Sequence, residues 1–459
     1  MADIQAFIER LTDSNSEIRK DAAEQLAALG PDARAAVPAL VHGLSDEFDE
    51  YVRWSMLEAL ADIGPAASEA IDAIVPLLGD EDLLEEAAAA LARIGGNGVK
   101  KLGEALGDPD AEIRRAAARA LAECGAGARA AMPALLGALQ DRDDETRLAA
   151  AHTLGRTGRQ IAAVGPALLT TLQDDHPSVR AAAAAGLDKL PELSDSGSVA
   201  LAKLLRDDNP APRLAAAHTL ARRGNSEALE VLSRALGHQH PAVRFEAAMR
   251  MRELGPAAAG AVPALVQAMR ETNPELLGEY ISALGAIGPA ASDLALEKTR
   301  GFLENGTPEV AAAAAEALGG FGEAARACAG TLAQALSSDD PSMFLGAAAS
   351  LIRLGEHTDE AFDRIRACLS DPDEGLRGAA LIALHELGEL AEPTREAIMN
   401  SLADDSFSIR EEALRTLIAV GGPPAQLIKA VQPLRYDSDR GVRHAAAAAL
   451  DRVSTDLGK

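Results

Sequence analysis

Apolar residues in this chain recur at helical spacing inside short blocks, and the blocks recur along the chain. Asp371-Pro-Asp-Glu-Gly-Leu-Arg-Gly-Ala-Ala-Leu-Ile-Ala-Leu-His-Glu-Leu-Gly388 repeats the layout of Asp108-Pro-Asp-Ala-Glu-Ile-Arg-Arg-Ala-Ala-Ala-Arg-Ala-Leu-Ala-Glu-Cys-Gly125. The shared frame is D-x-D-x-x-[VIL]-R-x-x-A-A-x-x-L-x-x-x-G. A fixed period of this kind is the signature of a repeat architecture. The Arg slot falls at Arg19, Arg53, Leu84, Arg114, Arg147, Arg180, Arg213, Arg244, Leu277, Ala311, Phe344, Arg377, Arg410 and Arg443.

Each slot has a physical reason. Four residues before the Arg slot stands Asp, Asn, Ser or Thr in twelve of fourteen repeats, such as Asn15, Asp110, Asn209 or Asp439. Such side chains accept hydrogen bonds from the free N–H groups that open a helix. Pro177, Pro210, Pro241, Pro274, Pro308 and Pro341 follow directly, at the first helical position, where a missing N–H costs nothing. Apolar positions then recur at intervals of four, four and three, giving one helical stripe. A closing Gly is predicted to cap the helix with a left-handed backbone. A second helix follows, typified by Ala36-Val37-Pro38-Ala39-Leu40 and Ala261-Val262-Pro263-Ala264-Leu265.

One such pair cannot bury both its faces, so neighbours must stack. The prediction is an all-α, α-α superhelix of about fourteen helix pairs, each adding about 10 Å. A single continuous solenoid over 1–459 is expected. Residues 1–30 would form an N-terminal capping repeat, 31–434 the internal repeats, and 435–459 a C-terminal capping helix and tail. The first helix, about Ile4 to Leu11, is short and polar, as a cap should be.

Composition sharpens this picture. Aromatic residues make up 3% of the chain against 48% hydrophobic overall. The apolar mass is therefore Ala and Leu, which favours helices in close contact. A net charge of −26 opposes nucleic-acid binding, which needs clustered cations. It suits a basic partner or a solvated acidic surface. Cys124, Cys328 and Cys368 lie far apart, so no disulfide framework or zinc site is predicted. The start Met1-Ala2-Asp3-Ile4-Gln5 shows no basic or long apolar leader, and no membrane span is read. A cytoplasmic protein is expected.

The frame resembles the HEAT-repeat family, especially the short repeats named after phycobilisome lyases. The resemblance covers nearly the whole chain. It implies that the helix carrying the Arg slot lines a concave face and the Pro-bearing helix a convex one. It also implies a ladder of Asp and Arg between neighbouring repeats, with Asp108, Asp141, Asp174, Asp207, Asp371, Asp404 and Asp437 as partners. HEAT-like proteins are mostly scaffolds and adaptors. Deoxyhypusine hydroxylase, a HEAT-like enzyme, holds iron through His-Glu pairs directly after the slot. This chain has Phe245-Glu246, Glu411-Glu412 and His444-Ala445 there, and its one His-Glu pair, His385-Glu386, sits near a helix end. HEAT-like DNA glycosylases need a cationic, aromatic-lined face, which one Trp and this net charge do not supply.

Departures from the frame are candidate sites. Asp46-Glu47-Phe48-Asp49-Glu50-Tyr51-Val52-Arg53-Trp54-Ser55-Met56 holds the only Trp, and repeat three adds Asp80, Glu81, Asp82, Glu85 and Glu86. The position of Trp54 varies freely among repeats, which predicts exposure. With Tyr51, Glu50 and Glu85 it would anchor a basic peptide; the alternative is a ring covering the core edge. A second break spans Leu277, Tyr280, Phe344 and Leu345, read either as an apolar groove for a partner helix or as packing adjustments. Paired histidines (His152 with His218, His176 with His240) fall two repeats apart, about 20 Å on the spacing above, too far to share a metal; surface positions are expected. There is no phosphate loop, HExxH helix or GxSxG elbow.

The expected function is a non-catalytic scaffold or adaptor holding a basic or amphipathic protein or peptide on its concave face, with no cofactor, metal, nucleic acid or membrane insertion. The alternatives are a lyase or isomerase acting on a tetrapyrrole-bearing protein, and a self-assembling rod. Against the rod stand the polar final residues, Ser454 to Lys459.

Overall fold

The computed structural model of the protein describes residues 4–158, 161–437 and 439–457. The extreme N-terminal residues 1–3 and the last two of the tail, 458–459, lie outside the described residues. Among the described residues there is no strand, and twenty-eight α-helices alternate as fourteen pairs. The chain is an all-α superhelical solenoid. Its contacts gather into two compact units, Met1–Thr219 and Leu220–Lys459.

The helices that carry the Arg slot are the longer of each pair, except that Pro308–Gly320 is one residue shorter than Ser292–Asn305. In the first unit they include Ser16–Leu29, Glu50–Ile63, Leu84–Ile94, Ala111–Glu123, Asp144–Thr157 and Pro177–Asp188. In the second they are Pro241–Leu254, Pro274–Ile287, Pro308–Gly320, Pro341–Leu354, Glu374–Leu387, Phe407–Val420 and Arg440–Leu457. The first helix of the chain is Ile4–Arg10.

Helix starts follow from their caps. The Asn15 side chain accepts from the Glu17 N–H, Asp143 from Thr146 and Asp340 from Met343. All six predicted prolines stand first in their helices. Repeat three departs: its helix begins at Leu84 itself, after Leu83, with no side-chain cap.

The closing glycines have positive φ except Gly158, at φ −89°, but most are not left-handed helical. Gly30 has φ 54° and ψ −134°, and Gly388 φ 55° and ψ −128°. Gly355, at φ 71° and ψ 25°, is left-handed helical. From the extended-ψ glycines the chain enters a 3-10 turn, as in Gly30–Ala36 and Gly255–Ala261. That turn leads into a Pro-bearing helix such as Val37–Asp46 or Val262–Ala268. Leu26, Leu40, Leu60 and Leu265 close the interior at 0% exposure, each worth about 1.5–3 kcal/mol of burial.

The ladder is present, with a double grip. Arg147 forks onto Asp174 at 2.7 and 2.9 Å and donates its remaining nitrogen to the Asp141 carbonyl at 2.9 Å. The same geometry joins Arg114 to Asp141, Arg180 to Asp207, Arg377 to Asp404 and Arg410 to Asp437. So each aspartate carboxylate serves the arginine of the preceding repeat, while its carbonyl serves its own. Glu47, Asp80 and Glu271 fill the same role for Arg19, Arg53 and Arg244, which the seven-aspartate reading missed. Asp108 and Asp371 follow the slots Leu84 and Phe344, which bring no arginine. Their carboxylates still accept the N–H two residues on, of Asp110 and of Asp373, as the paired aspartates do.

Asp174, Asp207, Asp404 and Asp437 are held below the ordinary carboxylate range. Burial pushes each upward, but the arginine hydrogen bond and the N–H two residues on outweigh it. A depressed acid stabilises the fold above its unfolded pKa of about 3.9 and loses that contribution as pH falls through the lower folded value. Urea midpoints are therefore expected to hold from neutral pH down to about pH 4 and to decline below it. An unchanged midpoint at pH 3 would contradict the ladder's ionisation.

Candidate functional site

The segment between the Pro-bearing helix Val37–Asp46 and the slot helix Glu50–Ile63 is pinned by the ladder. Glu47 accepts hydrogen bonds from two of the three guanidinium nitrogens of Arg19, at 2.6 and 2.8 Å, and also from the N–H groups of Phe48 and Asp49. The arginine hydrogen bond, against some burial, keeps Glu47 below its usual range. Asp49 then caps the next helix through Tyr51 N and Val52 N. Phe48 in this turn, and Tyr51 and Trp54 on the helix it opens, hold their rings in water. Phe48 is 99% exposed, Tyr51 67% and Trp54 47%. Tyr51 and Trp54, three apart, share one helix face.

The exposure expected for Trp54 is found. Phe48 joins it, although sequence reasoning gave it no role; it precedes the helix, where no periodicity places a side chain. Glu50 is exposed at the first turn. Glu85 is exposed but engaged: it accepts Arg119 at 2.7 Å, which also reaches Glu145 at 3.1 Å. The surroundings are strongly acidic. From Asp46 to Glu86 thirteen acidic residues stand against Arg53 alone, a net of −12 of the chain's −26.

The second candidate cluster does not form an open groove. Leu277, Tyr280, Phe344 and Leu345 are all exposed by 8% or less. Tyr280 replaces a small residue and is buried, which raises its pKa despite the nearby Arg244. Phe344 occupies its slot beneath Arg364, whose guanidinium lies 4.2 Å from the ring centroid. Arg364 also donates to the Ser338 carbonyl. That carbonyl lies six residues before the slot, where a ladder arginine would have bound. The ladder is thus rewired from another helix, and the apolar run is core.

The remaining candidates carry no constellation. His218 is buried, against the surface position expected of it. His176 meets Asp144 at 3.3 Å, and His238 stacks near His240. Among the described residues no group of three or more His, Cys, Asp or Glu is placed to hold a metal ion. Burial pushes the thiol of Cys124 up to about 11, helped by Glu123, and raises Cys328 and Cys368 as well. A groove of about 460 Å³ in the second unit is floored by Leu414, Ile418 and Ala445, but its Arg415 is answered by Glu411 and Glu412. No helix among the described residues is long and apolar enough to cross a membrane.

The comparisons with known proteins agree with this architecture. A search of curated proteins finds no match. Among solved structures, a Kap95:Nup1 complex aligns with 99% of this chain and 74% of that chain, at 13% identity and a TM-score of 0.60. Yeast importin-beta (Kap95p) does so over 99% and 74%, at 14% identity and a TM-score of 0.59. At such identity the likeness is one of fold. The family model for HEAT repeats matches residues 4–94, 99–191, 198–285 and 296–385, and the chain belongs to the HEAT-repeat family.

Proposed function

We propose that this protein is a non-catalytic scaffold that binds a basic or amphipathic protein segment on the slot-helix, concave side of repeats two and three. The observation that carries this is the trio Phe48, Tyr51 and Trp54, held in water on a pinned turn and the first turns of the helix after it, amid the densest acidic stretch of the chain. Exposed aromatic side chains that cluster mark binding surfaces, and Trp and Tyr dominate binding energy at interfaces. The fold supports the reading, since Kap95 is found in complex with a protein, Nup1. A cytoplasmic setting fits a basic protein partner.

A lyase of the phycobilisome type is the competing reading, and the state of the thiols speaks against it. A thiol with a raised pKa is a poor nucleophile.

Trp54 is the only tryptophan, so its emission reports on this surface alone. Titration with a basic amphipathic peptide is expected to shift that emission saturably. A Phe48→Ala/Tyr51→Ala variant of unchanged helicity is expected to bind at least tenfold more weakly, as the loss of two aromatic anchors implies. An acidic peptide of the same length should leave the emission unmoved. Equal response to both peptides, or to neither, would remove the proposal.

A further inference from the structure

This inference rests on the binding surface just proposed and names what it takes. The chain contains its own template. Arg119 stands five residues after its slot. It reaches Glu85, one residue after the preceding slot, and Glu145, two residues before the next. Carried over by one repeat, that register sets three equivalent positions. One repeat earlier, the position of Arg119 is held by Ala89, half-buried. The position of Glu85 is held there by Trp54, and that of Glu145 by Glu112. Repeat three therefore has the receiving groups for a guanidinium, an aromatic face and a carboxylate, with a methyl group where the arginine would be.

We infer that the site over Ala89, between Trp54 and Glu112, receives an arginine side chain from the bound segment. An arginine plane stacks on an indole face and keeps donors for a carboxylate, which a lysine ammonium does less well. The chain already makes this kind of contact internally, at Arg364 over Phe344. Among the described residues neither of the arginines found over a ring lies on Trp54; they lie on Phe7 and Phe344. Charge complementarity selects the occupant, since the surrounding stretch carries a net of −12. Glu112 is shared with Arg115 at 2.8 Å, so an incoming guanidinium competes for it rather than meeting an unbound carboxylate.

The test uses the full chain and three hexapeptides of alternating leucine with arginine, lysine or citrulline. Binding is read by Trp54 emission and by calorimetry. The arginine peptide is expected to bind several-fold more tightly than the lysine peptide and at least tenfold more tightly than the citrulline peptide. Ala89→Arg would supply the guanidinium from within. It is expected to weaken the arginine peptide at least tenfold, while Ala89→Gln stays within about twofold of the parent. Circular dichroism checks that both variants keep their helicity. Equal binding of the arginine and lysine peptides, or Ala89→Arg binding like the parent, overturns the inference while leaving the scaffold reading standing. Failure of every peptide to bind the parent chain overturns both.

Discussion

Replacement of Arg147 by alanine is expected to lower stability by about 3 kcal/mol, the low end of the cost of breaking a buried ion pair. The reason is what the arginine leaves behind. Asp174 retains a side chain only 10% exposed, and its carboxylate loses both nitrogens of the fork. The Asp141 carbonyl and the weaker Arg142 carbonyl contact at 3.3 Å are lost as well. A carboxylate so placed must gain water or a proton, and either outcome loosens the turn before the helix at Pro177. Lysine should recover only part of the loss, since an ammonium cannot fork. A double change, Arg147→Leu with Asp174→Leu, should recover most of it, because removing both charges removes the desolvation penalty.

The chain itself shows that second arrangement. Where the slot is Ala311, the position that would hold its acid is Ser338. Urea titration followed by circular dichroism measures the loss. Repeat arrays are stabilised by nearest-neighbour interfaces, so hydrogen exchange should show it first in the helices Asp144–Thr157 and Pro177–Asp188. A single variant as stable as the parent would mean that the ladder is surface decoration.

Much of this fold was legible because its determinants are short-range. A cap, a proline and a stripe of Ala and Leu lie within eighteen residues of one another, so a one-dimensional frame captures them. Glu47 and Glu271 escaped because an Asp-only pattern excludes a longer acid that does the same work. The extended ψ of Gly30 and Gly388 and the 3-10 turns after them escaped because a positive-φ glycine reads the same with either ψ. The fate of Phe344 was not legible at all. Whether a ring in an arginine slot faces water depends on Arg364, which arrives from a different helix. The site divides in the same way. Trp54 could be placed by the variability of its position among the repeats. Phe48 lies in a turn without period, and the partner of Glu85 sits a repeat away.

Replacement of Gly320 by alanine is expected to cost about 2 kcal/mol, within the usual range for overpacking a closely fitted contact. A methyl group there would stand 2.1 Å from the Gly285 carbonyl oxygen and 2.8 Å from its carbon. Both belong to backbone, so no rotamer change relieves them. The two helices, Pro274–Ile287 and Pro308–Gly320, touch through small residues on both sides, since a Cβ on Gly285 would in turn meet Ala317 at 2.6 Å. This is also where the arginine ladder is interrupted, at Leu277 and Ala311. Cohesion there comes from helix backbones in direct contact instead of from ion pairs. The matched control is Gly301→Ala in the helix Ser292–Asn305, where an added methyl meets nothing within 4 Å. Removing a mid-helix glycine in open space should raise stability by about 0.5–1 kcal/mol. The same substitution is thus expected to have opposite signs at two sites nineteen residues apart. If both variants gained stability in urea titrations, these helices would have to lie farther apart than a glycine contact requires. The ladder would then be broken in repeats nine and ten with nothing in its place.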